Sequence, residues 1–330
     1  LSPDDEFADF ETFDKANFGD EGKTPEMLPK EYAREALKRG LAYEQKLGAN
    51  PFKFGMIGST DAHTSLSTTQ ENNFFGKVAQ LEPSASPARF KEVIAGRLGD
   101  ESIHIYTRQT SASGLAAVWA RENARASIYD ALARKEVFAT TGTRMKVRVF
   151  AGFEFKPDDL VRSNFAQYGY EKGVPMGGDL APAPDADAAP SFLVAAIKDP
   201  FSGNLDRIQI IKGWLDADGN TREKIFDVVW SGDRAPDADG KLPSVGDTVD
   251  VENATWTNTI GAPELITVWQ DPEFDPAQSA FYYARVIEIP TPRWTAFDAA
   301  YFEDANFGPE VPMKLAERAY TSPIWYTPSE

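Results

Sequence analysis

Between positions 30 and 47 apolar residues recur three and four apart, at Ala33, Ala36, Leu37, Leu41 and Leu47. The spacing predicts an amphipathic helix whose apolar stripe faces a core, ended by Gly48. Phe52-Lys-Phe-Gly-Met-Ile-Gly58 follows, a short apolar run between Pro51 and Gly58 that reads as a buried strand. A helix leading into a strand is the α-to-β order of a barrel unit. Positions 65 to 73 are polar and form a loop able to reach over the strand end. The pattern then predicts a helix over 87–97, a short strand over 103–106, a small-residue loop over 111–115, and a helix over 119–134 with Ala117, Ile128 and Leu132 inward. Val137-Phe-Ala139 is a further buried strand, closed by the turn Thr140-Thr-Gly-Thr-Arg144.

Beyond Lys146 the texture changes. Strand-like runs occupy 147–153, 191–197, 207–214, 224–230, 265–269 and 281–289, separated by turn-rich stretches at 182–190 and 231–243. Strands without intervening helices predict an antiparallel sandwich-like domain over 146–330, after an α/β domain over 1–145. The fold class expected is therefore α/β plus all-β. Asp216-Ala-Asp-Gly-Asn220 resembles half of a calcium loop but has no Glu at the twelfth position, so a hairpin turn is the better reading. Trp294, Trp325 and Tyr326 are expected to fill a core or seal the contact between halves rather than to stack on a sugar. At the acidic start of the chain, Phe7, Phe10, Phe13 and Phe18 are spaced as anchors onto something larger.

Composition narrows the functions. With 42% hydrophobic residues over 330 positions the chain buries a sizeable core. A net charge of −17 disfavours nucleic acid and anionic membrane surfaces, which require clustered Lys and Arg. There is no cysteine, hence no disulfide or thiolate chemistry, and no apolar run long enough to span a membrane.

Candidate chemistry concentrates in Gly58-Ser-Thr-Asp-Ala-His-Thr64, where the predicted strand ends. In extended chain, positions two apart point to one side, so Asp61 and His63 can converge. A carboxylate beside an imidazole suits zinc, manganese or iron better than calcium. The competing reading is an Asx-type turn in which Asp61 caps local backbone amides and His63 is an ordinary partly exposed histidine. Arg144 would meet an anionic substrate through its bidentate fork, or else form a structural ion pair with one of the surplus carboxylates.

Those residues, with Asn50-Pro-Phe-Lys-Phe-Gly55, closely resemble the bacterial family catalogued as domain of unknown function 3604. The likeness continues through Asp5-Glu-Phe-Ala-Asp-Phe-Glu11, Gly22-Lys-Thr-Pro-Glu-Met-Leu28, Val118-Trp-Ala-Arg-Glu-Asn123, Ala139-Thr-Thr-Gly-Thr-Arg144 and Ala319-Tyr-Thr-Ser-Pro-Ile-Trp-Tyr326. That family is similar to the PHP (polymerase and histidinol phosphatase) metallophosphoesterases. The resemblance implies a partial PHP-like distorted (β/α) barrel over 1–145, and a metal-dependent hydrolase of phosphate esters or related small-molecule or polymer esters. Asp61 and His63 would be ligands to divalent Zn, Mn or Fe, Thr60 and Thr64 would supply supporting hydrogen bonds, and Arg144 would hold the anion. PHP proteins add His-x-His and further histidines, whereas the only other histidine is His104. The expectation is a C-terminal portion of a longer, exported or periplasmic protein, with the metal site incomplete in this chain. A binding or structural module with a vestigial metal site, recognising a carbohydrate or protein through its β-domain, is the alternative.

Overall fold

The strand Ala280–Glu288 is buried at every position and organises the molecule around it. In the computed structural model, which describes residues 2–8, 24–97, 100–112, 114–238, 240–302 and 307–329, the chain begins its regular structure with α1 (Ala33–Leu47). It continues through β1 (Val93–Arg97), β2 (Asp100–Tyr106), β3 (Leu115–Val118), α2 (Arg125–Ala133), β4 (Val137–Thr140), β5 (Lys146–Gly152), α3 (Phe165–Lys172), β6 (Val174–Pro175) and β7 (Asp179–Leu180). The second half carries β8 (Ser191–Ile197), β9 (Leu205–Leu215), β10 (Thr221–Trp230), β11 (Glu264–Gln270), β12 (Ala280–Glu288), β13 (Thr291–Pro292), α4 (Trp294–Tyr301), β14 (Lys314–Leu315), β15 (Arg318–Thr321) and β16 (Ile324–Tyr326).

The larger sheet runs β10-β9-β12-β15-β4-β3, with β16 joining β12 to β7, and the smaller one runs β11-β8-β5-β6. Both sheets are open. Every pair is antiparallel except β7 with β16. Strands from both sides of residue 145 share the larger sheet. Alternation decides what each face does: Ile208, Ile210, Tyr282, Ala284 and Val286 point one way and meet Val147, Val149, Phe192 and Val194 of the smaller sheet. Ile211, Leu215, Phe281 and Tyr283 point the other way, onto Leu37 and Leu41 of α1. Each such leucine contributes about 1.5–3 kcal/mol by leaving water. Gly48, in the left-handed region at φ 72°, closes α1 as its position after the last apolar residue predicts.

The six strand runs of the second half all form, and 216–220 is the β9–β10 hairpin turn, with the Asp216 amide donating to the Asn220 carbonyl at 2.9 Å. Trp294, Trp325 and Tyr326 are buried, as a core role requires. Trp294 packs on Phe74 and Phe90, and Trp325 lies with Leu37 and Leu41, so the closing segments bind the two halves together. Phe7 lies under Arg285 and Arg318, whereas Phe10, Phe13 and Phe18 fall outside the described residues.

Three local expectations are corrected. Residues 52–58 form no ladder, because their amides go to different places. Phe54 donates within the segment, Met56 to the Ser322 hydroxyl and Gly58 to the Leu115 carbonyl. Phe54 and Met56 still pack on the α1 side of the large sheet, while Ile57 is exposed. The helix expected over 87–97 is one 3-10 turn, Arg89–Lys91, followed by β1. Buried Arg89 ties that turn to Asp298 at 2.6 Å, and β-branched Val93 and Ile94 favour the strand that follows. The helix expected from 119 starts at Arg125, since Trp119 is held by its backbone amide to Glu136 and its indole N–H to the Val147 carbonyl, 2.9 Å away.

Candidate functional site

The segment carrying the Asp-x-His motif enters against the paired ends of β3 and β4. A Cβ on Gly58 would stand 2.6 Å from the Thr140 carbonyl oxygen and 2.7 Å from that of Leu115, so only glycine permits this approach. The Gly58 amide donates to the Leu115 carbonyl at 3.2 Å, and that of Gly114 to the Ser59 carbonyl at 3.2 Å. Two turns therefore leave the same place: 59–64 after Gly58, and 141–144 after Thr140.

The first turn is pinned from behind. Lys77, 4% exposed, donates its ammonium to the Thr60 carbonyl at 2.9 Å, and its own carbonyl accepts the His63 amide at 2.6 Å. Asp61 takes φ 48°, a left-handed conformation that Asp tolerates better than most residues. Its backbone carbonyl then lies 3.1 Å from His63 Nδ1. That contact engages Nδ1 of the imidazole and leaves Nε2 without a hydrogen bond among the described residues. Both Asp61 and His63 are exposed. The Asp61 carboxylate caps no backbone amide among the described residues, so the Asx-turn reading has no geometry behind it here. The Thr64 hydroxyl accepts the Leu66 amide at 3.3 Å, and the Thr60 hydroxyl lies 3.4 Å from that of Ser67.

Donor types fit a divalent transition metal, and their number does not complete one. No group of three or more His, Cys, Asp or Glu side chains able to hold an ion occurs among the described residues. His104 sits on β2 of the separate two-stranded sheet, edge-on to Tyr106. A catalytic centre of the zinc type takes about three protein ligands and an open position. Asp61 and His63 would supply two.

The loop that follows the motif reaches the second turn. Residues 69–72 and 142–144 line one cleft of about 430 Å³, together with Asp199, Trp256 and Glu317. The Arg144 amide is held by the Asp199 carboxylate at 2.7 Å, while its exposed guanidinium pairs with no carboxylate among the described residues. Asp61 and His63 do not line this cleft, and no hydrogen bond or ion pair among the described residues links them to Arg144.

The floor of the cleft is acidic and buried. Buried Glu317 accepts a hydrogen bond from the Thr141 hydroxyl, and burial together with the nearby Glu71 carboxylate pushes its carboxyl up to about 7. Glu71 in turn accepts the amides of Ala112 at 2.9 Å and Trp294 at 2.7 Å. Behind them Glu288, fully buried, accepts from the Ser202 hydroxyl at 2.5 Å, and burial pushes it up to about 8. Lys77, Glu71, Glu288 and Glu317 carry no motif and were not among the candidates from sequence.

A family model described as a protein of unknown function, DUF3604, matches residues 1–328. The chain belongs to that family. No curated protein and no solved structure matches this DUF3604 chain. No helix among its described residues is long and apolar enough to cross a membrane.

Proposed function

We propose that this DUF3604 chain forms part of a metal-dependent hydrolase acting on phosphate esters, as the C-terminal portion of a PHP-like protein. One observation carries the reading: the loop leaving the Asp61–His63 turn joins the Gly142–Arg144 turn as walls of one cleft, so two donors and a free guanidinium share one end of the sheet. Asp61 and His63 would hold a Zn, Mn or Fe ion through one oxygen and one nitrogen, with the remaining ligands supplied by chain outside these residues. Such an ion activates a water and neutralises charge on phosphoryl oxygens. Arg144 offers two parallel N–H donors to an anionic ester, on a backbone that Asp199 fixes. Lys77 keeps the ligand turn in place.

Calorimetric titration of the chelated full-length protein with Zn²⁺ and Mn²⁺, followed by assays on p-nitrophenyl phosphate esters, tests the proposal. Asp61→Ala and His63→Ala are each expected to weaken metal binding at least tenfold and to lower ester hydrolysis with it. The 330-residue chain alone is expected to bind metal weakly, having two donors. Unchanged metal affinity in both variants, or a metal-loaded protein inert on phosphate esters, lactones and amides alike, would overturn it in favour of a binding module.

A further inference from the structure

A second hollow, of about 890 Å³, opens between the 119–122 segment, α2, β5 and α3. Its volume is that of a small-molecule cleft, roughly 300–1,000 Å³. Trp119, Arg121, Asp130, Glu136, Arg148 and Tyr170 line it. None of them belongs to the Asp61–Arg144 end.

Its charges divide into paired and unpaired groups. Glu136, 1% exposed, uses both oxygens: one accepts the Tyr170 hydroxyl and the other accepts Arg134 Nε at 2.8 Å. Burial, then that bond to Glu136, pushes the Tyr170 hydroxyl up to about 12, so it stays a neutral donor already engaged. Arg134 also donates to the Trp119 carbonyl at 2.5 Å. Arg148 is different. Its guanidinium lies 3.8 Å over the Trp119 ring, with Phe150 and Tyr170 each at 5.8 Å, and the ring is itself locked by its hydrogen bond to the Val147 carbonyl. Its Nε is buried without a partner, and no carboxylate or carbonyl accepts from its guanidinium among the described residues. In a chain with 51 acidic and 34 basic side chains, a held, planar, unpaired arginine is a cation presented to something else.

The rest of the lining limits the anion. Glu122 and Asp130 are exposed beside Arg121, and they oppose a dianion while accepting hydroxyl donors. Ser127 adds one more hydroxyl. We propose that this hollow binds a polyhydroxylated monocarboxylate of the sugar-acid class, its carboxylate on the Arg148 fork and its hydroxyls on Asp130, Glu122 and Ser127.

Isothermal titration of the full chain with sodium glucuronate, beside glucose and inorganic phosphate, tests this. The expected result is saturable one-to-one binding of glucuronate, no heat from glucose, and affinity at least tenfold lower in Arg148→Met. Arg148→Lys keeps the charge without the planar fork, and Asp130→Asn changes only an exposed rim position. Both are expected to fold and to bind glucuronate severalfold more weakly. Absence of glucuronate binding, equal binding of glucose, tighter binding of phosphate, or undiminished affinity in Arg148→Lys and Asp130→Asn would each overturn the assignment.

Discussion

Asp5→Ala is expected to cost about 3–5 kcal/mol of folding stability, because it removes the anion from the centre of a buried ionic network. The Asp5 carboxylate has no exposed side-chain surface and receives one hydrogen bond from each of two arginines equally sealed from water, Arg34 at 2.7 Å and Arg285 at 2.7 Å. Arg34 reaches Tyr283 at 2.8 Å and Glu223 at 2.9 Å, and Arg285 reaches Gln209 at 2.7 Å. The network clamps the 2–8 segment and α1 onto β9, β10 and β12. With Asp5 gone, two guanidiniums remain in the interior with too little negative charge. Burial alone would raise the Asp5 carboxyl, yet Arg285 and Arg34 hold it below its ordinary value of 3.8. A lowered carboxyl stabilises the fold above its unfolded value and loses that contribution as pH falls through the folded one. The deficit of Asp5→Ala should therefore be full at pH 7 and shrink below about pH 3.8. Urea unfolding at pH 7 reads it directly, and a loss under about 1 kcal/mol would show that water or rearrangement replaces the anion. Asp5→Ala with Arg285→Met is expected to recover part of the loss, since contacting residues do not act additively.

The sequence made the periodic elements readable, and tertiary contact decided the rest. α1 and the six strands of the second half follow from spacing and run length, although Leu47 and Ile225 of those runs remain exposed. Spacing failed where a distant partner took over. Trp119 is fixed by Val147, Arg89 by Asp298, and Gly58 by the ends of β3 and β4. The Asp-x-His pair and Arg144 stood out by residue type and position after apolar runs. Lys77 and Glu71 are ordinary surface residues in sequence, and only the folding back of 69–78 gives them a role. Glu288 did leave a signal. An acid at the end of the apolar run 281–289 is costly to bury unless protonated or paired, and that anomaly marks the floor of the cleft.

That buried acid makes the protein's stability fall as pH rises through neutrality. Its ordinary value is 4.5 and burial lifts it to about 8, with Glu317 and Asp199 adding repulsion while the Ser202 hydroxyl opposes the rise. Glu317, lifted to about 7, faces Glu71, Thr141 and Arg318. For a carboxyl raised in the folded state, the native protein holds more protons than the unfolded chain between the two values. Stability is then complete below about 4.5 and is lost progressively towards 8. At about 1.4 kcal/mol per unit, Glu288 alone should remove roughly 2–3 kcal/mol between about pH 6 and pH 9. Glu288→Gln keeps the shape and a donor and cannot ionise, so its unfolding free energy should decline by that much less over the same interval. Urea titrations of both proteins at the two pH values make the comparison, and parallel slopes would mean that Glu288 is ionised or solvated in the fold. Adding Glu317→Gln should flatten the remaining dependence around pH 7. The consequence for the cleft follows from Glu317 lining it beside Arg144: as that carboxyl ionises, the floor gains negative charge, and an anion held by the guanidinium should bind more weakly at pH 8 than at pH 6.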